Sequence, residues 1–313
     1  MPRWIEIPTA DMTHEEWVAA RKNSIGGSDA AAIVGMSEYA SPYSVWAEKT
    51  GRVVSEDVSQ VEAVRLGNDL EDYVAQRFTE KTGLEVYKKN AILKNPNYPW
   101  AHANVDRLVA GADEGLECKT TSALSAGKFK NQAYPDNYLV QSTHYLAVTG
   151  YKKWHIAVLV LGKAFLTFEV SRDDREISAL MDAEKRFWDY VQSGMEPPMC
   201  GNDSEVETLK RMYPDGGGGP VELFGRKAML DQYAHLTAQE TDLKKQKQTI
   251  KAEIQRDMGT SEVAYAGEYL VTWKSYVERK FDEKALERDH PLLYAQYSSS
   301  RPNRRFEVRN NGI

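Results

Sequence analysis

The chain has 313 residues, 42% of them hydrophobic and 27% charged, with a mean hydropathy of -0.58. It can bury a sizeable core, yet no apolar run approaches the ~20 residues of a membrane helix, and M-P-R-W-I-E-I-P lacks the charged-then-apolar form of a secretion signal. Two cysteines, Cys118 and Cys200, are too few for a disulfide framework, a four-thiolate zinc site or an iron–sulfur cluster, and a net charge of -6 argues against a broad basic field for nucleic acid while leaving room for local strips such as Lys128 with Lys130.

In chain order, Thr13-His14-Glu15-Glu16 reads as a capping box opening a helix to about Lys22. Ile25-Gly26-Gly27 breaks it, and Ser28 is expected to cap a short Ala-rich helix that stops at Gly35. Ser41-Pro42 starts the next helix and Gly51 ends it. A long helix is predicted over residues 61–82, closed by Gly83, then a strand over 84–93 and a hairpin around Asp106. Residues 136–149 read as a helix, 153–161 and 163–170 as a second hairpin through Gly162, and 173–191 as a charged helix. This order implies a mixed central sheet flanked by helices, an α/β (α+β) domain over residues 1–199. Asp215-Gly216-Gly217-Gly218-Gly219-Pro220 marks an expected Gly/Pro linker over 200–220, and no G-x-x-x-x-G-K-[ST] phosphate loop occurs. Beyond lies a helix-rich extension over 221–313, with one long helix over 221–258. Leu236, Leu243 and Ile250 recur there every seven residues among polar companions, a narrow stripe suited to one partner helix.

The densest chemistry lies in A-H-A-N-V-D-R-L-V-A-G-A-D-E-G-L-E-C-K-T. If Val109 pairs with Glu114, Asp106 falls across from Glu117. Strand alternation then puts Glu117 and Lys119 on one face and turns Cys118 away. Two carboxylates beside an ammonium suit a divalent cation and a phosphodiester; cross-strand charge pairs on a solvated face are the plainer alternative. Glu71 shares a helical face with Val74, Ala75 and Phe78 and has no basic neighbour one turn away, so it needs a partner from elsewhere. Arg21 and Ser28, beside a helix N-terminus, are candidate phosphate binders or simple capping and dipole contacts. Gln141 and Tyr145 stand one turn apart on the 136–149 helix and can face one site. The six histidines show no H-x-x-x-H pairing, and no hydrolytic triad is supported.

Taken in order, Arg21 with I-G-G-S-D-A-A-A-I-V-G, then S-P-Y-S-V-W-A-E-K-T-G, L-G-N-D-L-E, A-N-V-D-R, L-E-C-K-T and Q-S-T-H-Y-L resemble the YqaJ viral recombinase family. That family is related to the phage lambda exonuclease, in the PD-(D/E)XK nuclease superfamily. The resemblance runs over residues 20–165; Val105 stands where the superfamily motif has its proline. It implies a PD-(D/E)XK core and a Mg²⁺-dependent (or Mn²⁺-dependent) 5′→3′ exonuclease. Such an enzyme degrades one strand of linear double-stranded DNA and leaves 3′ single-stranded tails for phage-type recombination. It further implies Asp106, Glu117 and the Cys118 backbone carbonyl as metal ligands, with Glu71 holding or tuning a second ion. Lys119 would orient water and stabilise phosphoryl charge, Gln141 would position it, and Arg21, Ser28 and Tyr145 would contact DNA. A ring-shaped homo-oligomer such as a trimer, a single-strand annealing protein as partner, and a bacterial or phage-infected host cytoplasm complete the expectation. A structure-specific or restriction-type endonuclease with the same metal site, and a non-catalytic DNA-end-binding scaffold, are the alternatives.

Overall fold

Thr13 opens the first helix, α1 (His14–Lys22), by a reciprocal cap: its hydroxyl accepts from the Glu16 amide and the Glu16 carboxylate accepts from the Thr13 amide. The next helix, α2 (Gly27–Ile33), is capped at Gly26 and not at Ser28. The Gly26 amide donates to Asp29 Oδ2 at 2.9 Å, and Asp29 is itself held by Lys49 at 2.7 Å. A carboxylate three residues along reaches the cap amide with a charge-assisted bond, so Ser28 is left exposed in the first turn. Ser41 and Pro42 start α3 (Pro42–Lys49) as expected, and α4 (Glu62–Thr82) ends at Gly83, whose φ of 76° suits glycine.

The computed structural model describes residues 4–54, 58, 60–299 and 304–309, and the chain divides into two units, Met1–Tyr213 and Pro214–Ile313. In the first unit the run predicted as one strand is two, β2 (Val86–Tyr87) and β3 (Ala91–Lys94), serving different sheets. The intervening Lys88-Lys89-Asn90 is polar and breaks the ladder. β3 pairs with the N-terminal β1 (Ile5–Pro8), a strand whose sequence signal is too short to stand alone. The main sheet continues through β4 (Arg107–Val109), β5 (Glu114–Thr121), β6 (Lys153–Val160) and β7 (Ala164–Ser171), in the order β2-β4-β5-β6-β7. Every pairing in it is antiparallel except β5 with β6. That parallel pair requires a crossover, made by a 3-10 segment (Ala123–Gln132) and α5 (Asp136–Thr149). The mixed α/β class is therefore as read from the sequence.

Each sheet face has its own core. Leu116 packs with Val74, Ala75, Phe78 and Ala157 beneath α4. On the other face Leu108, Trp154, Ile156 and Val158 pack with Tyr145, Leu146 and Val148 of α5 and with Ile177 and Leu180 of α6 (Asp174–Ser193). A third cluster joins Tyr43 and Trp46 of α3 to Phe187, with Leu209 and Met212 against it. Those last two belong to α7 (Asp203–Met212), so the stretch expected as a linker over 200–220 is helical in its first half. Asn202 caps that helix, and its apolar residues complete the α3 cluster, which moves the boundary to Tyr213.

The second unit holds α8 (Lys227–Met258), a hairpin of β8 (Val263–Ala266) and β9 (Tyr269–Thr272), α9 (Glu283–Asp289) and α10 (Pro291–Tyr297). α8 starts six residues later than the predicted 221, after Gly225 in the left-handed region. Leu236, Leu243 and Ile250 lie exposed along it. No helix among the described residues is long and apolar enough to cross a membrane.

One close approach in the sheet gives a test. Gly115 of β5 pairs with Trp154 of β6, and a Cβ on Gly115 would lie under 3.0 Å from the fully buried indole ring. Gly115→Ala should destabilise the protein by ~1–3 kcal/mol through overpacking. The urea midpoint measures this, and an unchanged midpoint would contradict the packing.

Candidate active site

The β4–β5 ladder sets Arg107 across from Leu116 and Leu108 across from Gly115. Continuing that register by one residue puts Asp106 across from Glu117, the arrangement read from the hairpin. β4 begins at Arg107, so the amide of Cys118 is taken by a side chain instead of a strand: it donates to Asp106 Oδ2 at 2.7 Å. Glu117 is only 5% exposed. Its Oε1 accepts from Lys119 Nζ at 2.6 Å and from Gln141 Nε2 at 2.8 Å. Lys119 also donates to Gln141 Oε1 at 3.0 Å, and Gln141 Nε2 donates to the Tyr145 oxygen at 2.8 Å. Tyr138, Gln141 and Tyr145 follow helical spacing on α5, and Lys119 Nζ stands 5.3 Å from the centre of the Tyr138 ring. A strand face and a helix face thus meet around one ammonium.

Burial, and next the Glu117 charge, push the Asp106 carboxyl well above the usual aspartate range. Burial works against charge on Lys119, but Glu117 and Asp106 outweigh it and its pKa is raised. The Tyr145 phenol is driven well above its ordinary value by burial and then by the two carboxylates, so it stays protonated. Burial and the same carboxylates also push the Cys118 thiol up; it packs toward Leu116 and offers no thiolate. Glu117 Oε2 is buried with no hydrogen-bond partner among the described residues. An acceptor orphaned beside a second carboxylate lacks a positive charge. The donor set fits a hard divalent cation, since it offers carboxylate oxygens and no soft ligand.

Glu71 finds the partner from elsewhere in the chain that its position requires. Among the described residues no three His, Cys, Asp or Glu side chains gather closely enough to hold a metal, so Asp106 and Glu117 form a pair without it. The reason lies in strand alternation. Arg107 points to the α4 face, where its Nη1 meets Glu71 Oε1 at 2.5 Å and its Nη2 pairs with Asp72. Lys88 approaches the same Glu71 oxygen at 3.5 Å. Arg107 Nη1 also donates to the Asp106 carbonyl at 2.5 Å, so Glu71 reaches the site through Arg107 as well as by its own charge, which adds to the raising of the Asp106 pKa. The missing local cation at Glu71 was the sequence signal for this pairing, and Arg107 was the residue overlooked.

Arg21 lies with its guanidinium 4.3 Å over Trp17, and its charge acts on the Tyr145 phenol. Its Nε is buried without a hydrogen-bond partner. Gly27 packs against the Tyr145 ring so closely that an added Cβ would come within 2.6 Å, which seats the start of α2 on α5. The structure thus brings Arg21 and Tyr145 together, with Ser28 exposed one residue beyond Gly27. Behind α5 runs a buried polar chain absent from the sequence reading. Ser24 Oγ meets His102 Nδ1 at 2.9 Å, the His102 carbonyl accepts from His144 Nε2 at 2.8 Å, and His144 Nδ1 meets Glu184 at 2.7 Å. Burial pushes the His102 pKa down to about 3, so its ring is neutral. Ser24 and His102 are fully buried, which removes them as a nucleophilic pair.

The raised Asp106 pKa makes a signed prediction. A carboxyl whose pKa rises on folding costs stability above its unfolded value and costs nothing below it. In metal-free buffer Asp106→Asn should therefore melt at a higher temperature than the wild type at pH ~7, with the difference gone below pH ~4. Thermal scans across pH measure it; a variant no more stable near neutrality would contradict the electrostatics.

A family model for the YqaJ-like viral recombinase domain matches residues 16–152, which hold all the residues just described from Arg21 to Tyr145. The uncharacterized protein YqaJ of Bacillus subtilis (strain 168) is 36% identical over 306 residues, covering 96% of this chain and 95% of that protein. Among solved structures, an alkaline exonuclease from Laribacter hongkongensis aligns with a TM-score of 0.50 at 20% identity, over 58% of this chain and 94% of that one. The same enzyme in complex with dAMP gives 0.50 at 21% identity, over 64% and 98%. At such identities the likeness is one of fold. The near full-length match to YqaJ goes further, and by it the chain belongs to the YqaJ-like viral recombinase family.

Proposed function

We propose that this chain is a Mg²⁺-dependent 5′→3′ exonuclease that degrades one strand of linear double-stranded DNA from its ends and leaves 3′ single-stranded tails for phage-type homologous recombination. The observation that carries this reading is the orphaned Glu117 Oε2, buried beside an Asp106 whose charge is disfavoured, with a cationic lysine at the rim. The shared fold with an alkaline exonuclease, one of whose structures contains dAMP, supports it.

Asp106, Glu117 and the Cys118 carbonyl would hold Mg²⁺ or Mn²⁺, which when bound supplies Lewis-acid charge at phosphoryl oxygen and a more acidic water. Lys119, kept protonated by its two carboxylate neighbours, would donate to the oxygen on which charge develops. Gln141 accepts from Lys119 and donates to Glu117, so it holds both in register. Tyr145, protonated and buried, anchors Gln141. Glu71 fixes the Asp106 backbone through Arg107; a second ion at Glu71 would require that pair to open, so the arrangement supports a one-ion centre. Arg21 and the exposed Ser28 would contact a DNA phosphate, which would set the direction of digestion. A ring-shaped homo-oligomer, with a trimer as the expected size, a single-strand annealing partner and a cytoplasmic setting belong to the same reading and rest on the family.

Lys119→Ala and Asp106→Ala should each lower Mg²⁺-dependent digestion of a linear duplex by about 10²–10³-fold while end binding persists in a gel shift. A variant that keeps most of its activity would dismiss the site. With wild type, label at the 5′ end should be released before label at the 3′ end, and a closed circular plasmid should stay intact. Cutting of the circle would favour the endonuclease alternative.

A further inference from the structure

The functional row on β5 does not stop at Lys119. Strand alternation gives Glu117, Lys119 and Thr121 one face, and Thr121, ~6.6 Å further along, lines a cavity of about 610 Å³. That volume is in the range of small-ligand sites, ~300–1,000 Å³. Its walls include Tyr39, Lys128, Phe129, Tyr134 and Tyr138. Tyr138 is shared between the two places, because Lys119 Nζ stands 5.3 Å from its ring centre. One tyrosine ring therefore separates the cavity from the lysine of the candidate active site.

The lining has the chemistry of a stacking platform. Phe129 and Tyr138 have ring centres 6.4 Å apart, and Tyr39 is 83% exposed. Asn131 and Gln132, with φ of 54° and 60°, bend the chain between Phe129 and Tyr134, and both rings pack on Phe168 to form the back wall of the hollow. Lys128 supplies one cation at the rim. It pairs with Glu38 at 3.1 Å, but both side chains are well exposed, and such a pair is worth little enough to yield to a phosphate. The Glu38 and Asp136 carboxylates also line the hollow, which leaves Lys128 as its phosphate contact, while the aromatic faces match an unpaired nucleobase.

We propose that this cavity binds, by stacking, an unpaired nucleobase on the strand whose phosphate lies at Asp106, Glu117 and Lys119. The inference rests on the nuclease reading for the identity of that strand. The test uses Tyr39→Ala and Tyr39→Phe, exposed substitutions whose folding is checked by urea unfolding. Binding of fluorescein-labelled pentathymidylate is measured by anisotropy in EDTA, so that no strand is cut, alongside digestion of a linear duplex in Mg²⁺. Tyr39→Ala should weaken pentathymidylate binding about tenfold and Tyr39→Phe should restore it. An abasic strand of the same length should bind wild type and Tyr39→Ala alike. Equal pentathymidylate affinity in Tyr39→Ala, or an equal loss on the abasic strand, would overturn the proposal. The two readings fail separately. If wild type does not digest DNA but the base-dependent loss remains, the cavity stands and the nuclease falls; if wild type digests and Tyr39→Ala binds unchanged, the reverse holds.

Discussion

Asp106 and Glu117 are brought into one corner by the hairpin that carries them, whose register sets Arg107 across from Leu116. Two buried carboxylates repel each other, and the surroundings only partly answer that repulsion. The Cys118 amide takes one oxygen of Asp106, and Lys119 and Gln141 share one oxygen of Glu117, leaving the other orphaned. The fold thus tolerates a site short of positive charge. Such local cost is what a cation-binding centre requires, because a fully satisfied pair would have nothing left to offer a metal.

The two faces of β5 divide the work. Leu116 and Cys118 face α4 and belong to the packing, whereas Glu117, Lys119 and Thr121 face α5 and lead from the carboxylate pair to the aromatic cavity. α5 answers with Tyr138, Gln141 and Tyr145 from one helical face. Arg107 couples the faces: it faces α4 and binds Glu71, yet its guanidinium also clamps the carbonyl of Asp106. A change on the α4 side can in this way reach the carboxylates without touching them. Behind α5, the Ser24–His102–His144–Glu184 chain fixes the helix from its buried side.

Much of this was legible in the sequence where the cause is local. The capping box at Thr13, the glycine stops at Gly51 and Gly83, and the hairpin register at Asp106 each follow from a few adjacent residues, and each is found. Where the cause is a distant residue, sequence reasoning went astray. Asp29 outcompetes Ser28 for the α2 cap partly because Lys49 holds it. The partner that Glu71 requires could not be named from the sequence, since the alternation that sends Arg107 to meet it matters only once α4 is packed on that face. The short α7 hid beside a glycine-rich run because its burial comes from α3, far back in the chain. The parallel pairing of β5 with β6 and the buried histidine chain likewise join residues dozens of positions apart.

Asp106 and Glu117 are proposed to hold a divalent cation together. The most direct measurement is an anomalous-difference map from crystals of the wild-type protein soaked in Mn²⁺. One peak should be bonded to both carboxylates, with Glu71 still on Arg107. A map with no peak there, or with manganese held by Glu71 away from Glu117, would contradict it.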